Sequence, residues 1–121
     1  MKHFALLMFL VGFYCTPVSA QNASQIAAVQ DGKSCAGCNL FQANLAYQDA
    51  SKMDLSNARL RQANLSLATY DDVDFSRANL SVANLFGARF NRANLSQSNL
   101  ENAIAVGTYF GSSTLSGANL N

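Results

Sequence analysis

An apolar residue recurs at every fifth position from Cys35 to Leu120, and this spacing constrains the fold more than any other feature of the chain. A second series, two residues earlier, is mostly alanine and includes Ala83. Residues five apart lie roughly 140° apart around an α-helix. On a straight strand they alternate between opposite faces. Neither element therefore buries the apolar series as one continuous stripe.

A chain that bends after every five residues does bury such a stripe. If each bend is close to a right angle, four units close a coil of twenty residues, and coils stack at roughly 4.8 Å, the spacing of neighbouring strands. Residues twenty apart then become vertical neighbours, so Leu60 and Leu80 share one inner column. Another column, ending in Tyr70, Phe90 and Phe110, predicts aromatic rings stacked along one inner edge. We expect Gln48, the largest polar residue in the small series, to distort its coil.

The triplet Ala-Asn-Leu recurs six times, for example ending at Leu80 and at Leu85. From about Lys33 to Leu120 this array resembles the pentapeptide-repeat family. The resemblance implies an all-β fold, a right-handed quadrilateral β-helix, with about four coils in residues 35–121. The outward asparagines form columns, which we expect to be joined by ladders of hydrogen bonds. One such column contains Asn44, Asn64 and Asn84.

Residues 1–20 have the layout of a secretory signal peptide. Lys2 and His3 precede an apolar run that ends at Tyr14, and small residues lead to a predicted cleavage site after Ala20. The run is too short for a bilayer core, which needs roughly twenty residues, so we expect no stable membrane insertion after cleavage. Cys15 follows a tyrosine rather than a small residue, which argues against a lipoprotein. We therefore expect an exported protein, periplasmic or secreted.

Residues 21–34 are predicted to form a segment that covers the N-terminal end of the coil. Ser24 is the predicted N-cap of a short helix that ends at Gln30, before Asp31 and Gly32. Ile26 and Val29 are three apart and are expected to face the first coil. A helix there would shield the open edge of the stack.

Cys35 and Cys38 are predicted to form a disulfide at the start of the coil, because the chain carries an export signal. A thioredoxin-like redox site is an alternative, but such sites lie at a helix start that lowers the thiolate pKa. A zinc site needs about four ligands. The exported part has two cysteines and no histidine, so we expect no metal and no cofactor.

Charge and composition argue against two classes of function. The full chain has eight Lys and Arg and seven Asp and Glu, so loss of Lys2 leaves seven of each and a net charge of zero. A neutral, exported chain is a poor match for nucleic-acid binding, or for the DNA mimicry by which some family members bind topoisomerases. Catalysis is not expected either. Asp71, Asp72 and Asp74 flank Val73, and we interpret them as a solvated corner.

The remaining prediction is a non-catalytic scaffold or protein-interaction module whose protein partner the sequence does not identify. We number the four sides of the coil in chain order from the unit of Cys35, so that Leu45, Leu65 and Leu85 point inward from the third side. Outward positions on this third side carry an apolar set that we interpret as a contact surface. Alternatively, Tyr47 and Leu67 cover the neighbouring corner. The last coil ends without a cap, so we also predict a homodimer through the C-terminal coil. The proposed contact residues are Tyr47, Leu67, Phe86, Ile104 and Val106.

Overall fold

A computed structural model of the chain describes residues 21–121. The predicted signal peptide, residues 1–20, and its cleavage site after Ala20 lie outside the described residues. Helix α1 spans Ala23–Gln30, strand β1 spans Asp49–Ser51 and strand β2 spans Thr69–Asp71. Helix α1, with eight residues, is far shorter than a bilayer span, and residues 21–121 contain no other helix that could form one.

Residues twenty apart in sequence lie side by side in parallel. Strand β1 pairs with β2 in the register Ala50↔Tyr70, and single-residue bridges such as Asn64↔Asn84 keep the same spacing elsewhere. The backbone amide of Leu60 donates to the carbonyl of Asn79 at 2.8 Å, a bond that joins one turn to the next. The bridges are short because a corner with positive φ recurs at every fifth residue. The twenty-residue spacing is the one that the sequence predicts.

The inside of the tube is filled by the two inward series. Leu60 and Leu80 are fully buried, and so is Ala83 beside them. Each unit thus contributes one large and one small inward side chain, an arrangement that leaves little void in a narrow interior. The predicted aromatic column is present: the ring of Phe90 stacks on Tyr70 at 5.8 Å and on Phe110 at 5.5 Å between ring centroids.

The corners of the tube are made by residues in the left-handed backbone region. Every fifth residue from Gly37 to Gly117 has a positive φ, and thirteen of these residues are not glycine. Asparagine stabilises many corners, because its Oδ1 accepts the amide two residues ahead: Asn84 accepts from Phe86 at 3.0 Å. Asn44 and Asn64 do the same. Among the described residues no side-chain bond joins these three asparagines, so the predicted ladder is wrong for this column. It is present for one pair of another column, where Asn119 Nδ2 donates to Asn99 Oδ1 at 3.3 Å.

Helix α1 begins earlier than the sequence predicts. Its N-cap is Asn22, whose Oδ1 accepts the amide of Gln25 at 3.1 Å, so the assignment of this role to Ser24 is wrong. Ser24 lies in the first turn of the helix, and its hydroxyl donates to the same oxygen at 2.9 Å. Asp31 ends the helix, as predicted.

Helix α1 contacts the first turn of the tube through two buried apolar residues and several side-chain amides. Ile26 and Val29 are buried. Gln25 Oε1 accepts the backbone amide of Asn39 at 2.7 Å, and Gln30 Nε2 donates to the carbonyl of Asn44 at 2.9 Å. These bonds occupy backbone groups that a preceding turn would otherwise pair.

Gln48 does not distort its turn, contrary to the prediction. Its Nε2 donates to the carbonyl of Val29, and its Oε1 accepts the hydroxyl of Tyr70 at 3.1 Å. The next residue, Asp49, keeps its register with Thr69. A polar side chain is tolerated at this inward position because both ends of its amide have partners.

Candidate interaction surface

The third side of the tube carries apolar side chains at its outer edge. Tyr47 and Leu67 occupy the same corner position on successive turns, with φ of 62° and 58°. Phe86 and Val106 lie at the adjacent corner position, and Ile104 pairs with Asn84 across the next turn. The five residues therefore lie on neighbouring columns of one edge. We call Tyr47, Leu67, Phe86, Ile104 and Val106 the apolar strip.

All five side chains of the apolar strip are exposed, which is costly for large apolar groups. Tyr47 has 75% of its surface accessible, and Leu67 has 46%. Leu67 is less exposed than Tyr47 for a local reason. A Cβ placed on Gly87 would lie 2.7 Å from Leu67 Cδ2, so Leu67 covers the next corner, as the alternative interpretation predicts. Covering that corner still leaves nearly half of the leucine in contact with water.

The third side also lacks formal charge over its whole described length. Its outward and corner positions from Asn44 to Gly107 hold only asparagine, serine, glycine, alanine and the apolar strip. The fourth side differs, with a salt bridge of 3.0 Å between Arg92 Nε and Asp72 Oδ1. The hydrogen bond from this guanidinium holds the pKa of Asp72 below its usual range. Charge-depleted surface with aromatic residues is typical of the centre of protein interfaces.

The acidic cluster flagged in the sequence is engaged in local structure. Asp71 Oδ1 accepts from Asn91 Nδ2 at 2.6 Å, Asp72 pairs with Arg92, and Asp74 Oδ1 accepts the amide of Ser76 at 2.8 Å. These bonds fit the interpretation of a solvated corner. Among residues 21–121, no group of three or more His, Cys, Asp or Glu is arranged to hold a metal ion.

A shallow cavity lies between helix α1 and the first turn, and no pattern in the sequence predicts it. Its volume is about 230 Å³, and its lining contains no acid, base or thiol. Such a lining offers neither a nucleophile nor a general base. The lining residues are Gln30, Asn44, Leu45, Ala46 and Gln48.

Cys35 and Cys38 lie at the first corner of the tube. Their Cα atoms are 5.5 Å apart, and their sulfurs are at bonding distance. This Cα separation is in the middle of the range that disulfides adopt. The disulfide is thus sterically allowed, and its formation stays a prediction.

The last turn within residues 21–121 has inward side chains that are accessible to solvent. Leu120 has 64% of its surface accessible, and Phe110 and Leu115, which share columns with fully buried residues, are only partly buried. The amides of these three residues have no hydrogen-bond partner within residues 21–121. An edge with free backbone donors and apolar side chains favours pairing with another chain.

Two further exposed apolar residues were not among the sequence candidates. Val82 lies at a corner of the second side, and the ring of Tyr109 lies under the guanidinium of Arg89 at 5.3 Å on the fourth side. A Cβ on Gly111 would collide with this ring, so Tyr109 covers that corner. Both residues lie outside the two inward series, and this position in the sequence was the signal that could have identified them as exposed.

Sequence comparison identifies the family to which this geometry belongs. The family described as Pentapeptide repeats (8 copies) matches residues 38–69, 71–102 and 93–121, which is more than half of the chain. The chain belongs to the pentapeptide-repeat family. Its fold is accordingly the right-handed β-helix of that family, and the observed twenty-residue stacking agrees with this assignment. The comparison with curated protein sequences found no significant match.

Solved structures of pentapeptide-repeat proteins resemble the chain. One, from the thylakoid lumen of Arabidopsis thaliana, is 30% identical over 78% of this chain and 66% of its own, with a TM-score of 0.40. Rfr23, from the cyanobacterium Cyanothece 51142, is 25% identical over 80% of this chain and 93% of its own, with a TM-score of 0.25. The present chain thus spans about two thirds of the Arabidopsis protein's length.

A third similar structure is QnrB1, a plasmid-mediated fluoroquinolone resistance protein. It is 18% identical over 68% of this chain and 60% of its own, with a TM-score of 0.33. At this identity the likeness concerns the fold alone. Because one fold serves many functions, the activity of a pentapeptide-repeat protein has to be argued from its own surface.

Proposed function

We propose that this pentapeptide-repeat protein is an exported, non-catalytic scaffold that binds a protein partner through its apolar strip. The observation that carries the proposal is the coincidence of the strip with the charge-free third side. The centre of the strip, Leu67 and Phe86, is exposed, although both side chains are large and apolar. A partner would remove this surface from water at roughly 25 cal/mol per Å² of apolar area.

The rest of the molecule supports a binding role over a catalytic one. The tube is filled by inward residues such as Leu65 and Leu85, and filled interiors leave no room for a substrate. The carboxylates of Asp71, Asp72 and Asp74 are used by neighbouring side chains or amides. What the chain offers to other molecules is its outer surface.

The proposal includes the architecture of both ends. We infer about four coils, an α1 that caps the N-terminal end, and a C-terminal end that pairs with a second copy. Support comes from the bonds that Gln25 and Gln30 make to the first turn, and from the free amides of Leu115 and Leu120 on the last.

DNA mimicry is the alternative function. A protein that imitates DNA needs a dense negative surface, because DNA carries one charge per roughly 1.7 Å of its length. The exported part of this chain carries as many basic as acidic residues, and acidic and basic side chains such as Asp72 and Arg92 alternate on one column. This distribution favours the scaffold role.

Cross-linking tests the apolar strip directly. A photo-reactive amino acid replaces Phe86 in one variant and Gln97, an exposed corner residue on the first side, in another. After irradiation in the native extracytoplasmic fraction, we expect a discrete heteromeric adduct from position 86 alone. Equal adducts from both positions, or none from position 86, would contradict the role of the strip.

Substitution provides the matched test. Leu67→Ser with Phe86→Ser should abolish the adduct formed from a photo-reactive residue at position 47, whereas Val82→Ser should leave it unchanged. Thermal unfolding of each variant checks that the tube remains folded. An adduct that survives the double substitution would show that the strip is not the contact.

Sedimentation measures the predicted homodimer. At micromolar concentration the mature chain should have twice its monomer mass, and Leu120→Lys should restore the monomer because it places a charge on the apolar end. The double variant of Leu67 and Phe86 should stay dimeric, since those residues lie on the side of the tube. A monomeric parent protein would remove the dimer from the proposal while leaving the strip untouched.

A further inference from the structure

The two cysteines lie where helix α1 is joined to the first turn. Immediately before Cys35, the amide of Lys33 donates to the carbonyl of Ala28 in α1 at 3.0 Å. Ser34 Oγ accepts the amide of Asp54, one turn on, at 2.8 Å. The same short segment is therefore bonded to both the helix and the first turn. The disulfide from Cys35 to Cys38 closes the loop that follows this segment.

Apolar packing at the inward position of Cys35 is weaker than at the same position of the next three turns. Cys35 occupies the large inward position that Leu55, Phe75 and Leu95 fill in the following turns. A cysteine side chain buries far less apolar area than leucine or phenylalanine. The disulfide thus closes this corner covalently, whereas large buried side chains close the same corner in the next three turns.

The corner is also accessible from solvent. Cys35 is partly exposed, and its neighbours Ser34, Ala36 and Gly37 are exposed, whereas Cys38 is buried. Cys35 is therefore the more accessible residue of the pair. Access and the identity of the attacked sulfur both govern the rate of thiol–disulfide exchange.

We propose that the Cys35–Cys38 disulfide is a redox switch that controls the attachment of α1 to the tube, and that its reaction partner is a dithiol. This inference is independent of the proposed partner-binding function. One thiolate of the dithiol attacks Cys35 Sγ, the bond between the two sulfurs breaks, and Cys38 leaves as a thiolate that takes up a proton. The second thiolate of the dithiol then attacks the mixed disulfide and releases Cys35.

The exchange balances without a further reagent. The dithiol loses two electrons and two protons and becomes a disulfide, while Cys35 and Cys38 gain both and become thiols. The reduced corner keeps the hydrogen bond from the Cys35 amide to the carbonyl of Asp54, at 2.9 Å, but loses its covalent closure. The bonds that depend on its position are those of α1, including the one from the Asn39 amide to Gln25 Oε1.

Hydrogen exchange of the mature protein, before and after treatment with dithiothreitol, tests the switch. We expect the amides of Asn39 and of α1 to exchange faster by about tenfold after reduction, because a disulfide restricts the opening even of a short loop. Amides in the middle of the tube, such as those of Leu80 and Phe75, should keep their rates. Intact mass before treatment should show no free thiol.

A variant that replaces the bond by packing is the control. Cys35→Leu with Cys38→Ala introduces the residue types that occupy the equivalent positions of the next turn, Leu55 and Ala58. Its α1 amides should be as protected as those of the oxidised protein and should not respond to dithiothreitol. Three results would overturn the proposal: free thiols in the untreated protein, unchanged exchange in α1 on reduction, or an equal rise at Leu80.

Discussion

The hydroxyl of Tyr70, in the core of the tube, donates a hydrogen bond of 3.1 Å to Oε1 of Gln48, one turn below. Gln48 in turn donates to the carbonyl of Val29, so a chain of two bonds joins the aromatic column to helix α1. Burial raises the pKa of Tyr70 far above the usual value of a phenol. The buried hydroxyl is therefore neutral and has a partner wherever the protein is folded.

Replacing Tyr70 by phenylalanine tests this relationship. At neutral pH, Tyr70→Phe should lower the free energy of unfolding by about 1 kcal/mol, because Gln48 Oε1 loses its donor. Since the folded pKa lies above the unfolded one, the contribution of Tyr70 is fully present below pH about 10 and is lost as the pH rises further.

The measurement is urea unfolding of parent and variant from pH 8 to pH 11. The difference in free energy of unfolding should be constant at the lower end. At higher pH the parent should lose stability relative to the variant by up to about 1.4 kcal/mol per pH unit, because only the parent must keep the phenol of residue 70 protonated in the folded state. A difference that stays constant to pH 11 would show that Tyr70 ionises freely in the folded state.

The stacking of residues twenty apart could be predicted from the sequence because a five-residue period allows few ways of burying one stripe. Leu60 and Leu80 follow from that constraint, and so does the aromatic column of Tyr70 and Phe90. The exposure of Phe86 follows equally, because its place in the five-residue unit is a corner. Most of the fold and the position of the apolar strip can therefore be predicted from the five-residue period.

Features that depend on contacts between turns could not be predicted. Val82 and Gln62 take the left-handed conformation against their intrinsic preference, because the turns above and below fix the corner. Asn22 and Ser24 are both good N-cap residues by type. The path of the chain into the helix, with Asn22 extended and Ser24 already helical, selects Asn22. The role of Gln48 required knowing that Val29 and Tyr70 lie at its two ends.

Removal of one inward leucine measures the contribution of the filled core. Leu80→Ala should cost about 2–5 kcal/mol in the free energy of unfolding, because it removes buried methyl groups and leaves a cavity. Leu67→Ala is the matched control, since Leu67 lies outside the inward series and is nearly half exposed. It should cost less than about 1 kcal/mol. Equal losses for the two variants in urea unfolding would contradict the inward series.

The small series should be equally intolerant of added volume. Ala83, Leu80 and Leu85 are fully buried. Ala83→Leu adds three carbon atoms beside the two leucines. Overpacking of this kind costs typically about 1–3 kcal/mol. Melting temperatures of the variant and the parent compare the two directly, and an unchanged melting temperature would mean that the interior has room to spare.

The corner at Val82 offers a route to greater stability. Val82 has a φ of 58°, a conformation that a β-branched side chain strongly disfavours. Val82→Asn should raise the free energy of unfolding by about 1 kcal/mol, because asparagine adopts the left-handed region more easily. Gln62→Asn, at the same corner one turn below, should gain less because glutamine is not β-branched. A destabilised Val82→Asn would contradict the corner geometry.

Disulfide trapping tests the twenty-residue turn most directly. Asn64 and Asn84 are parallel neighbours on the third side, whereas Asn64 and Asp74 lie on opposite sides of the tube. With cysteine at positions 64 and 84, mild oxidation should give an intramolecular disulfide that peptide mapping distinguishes from the Cys35–Cys38 bond. Cysteines at positions 64 and 74 should give none. An intramolecular bond in the second pair, or none in the first, would contradict the stacked square coil.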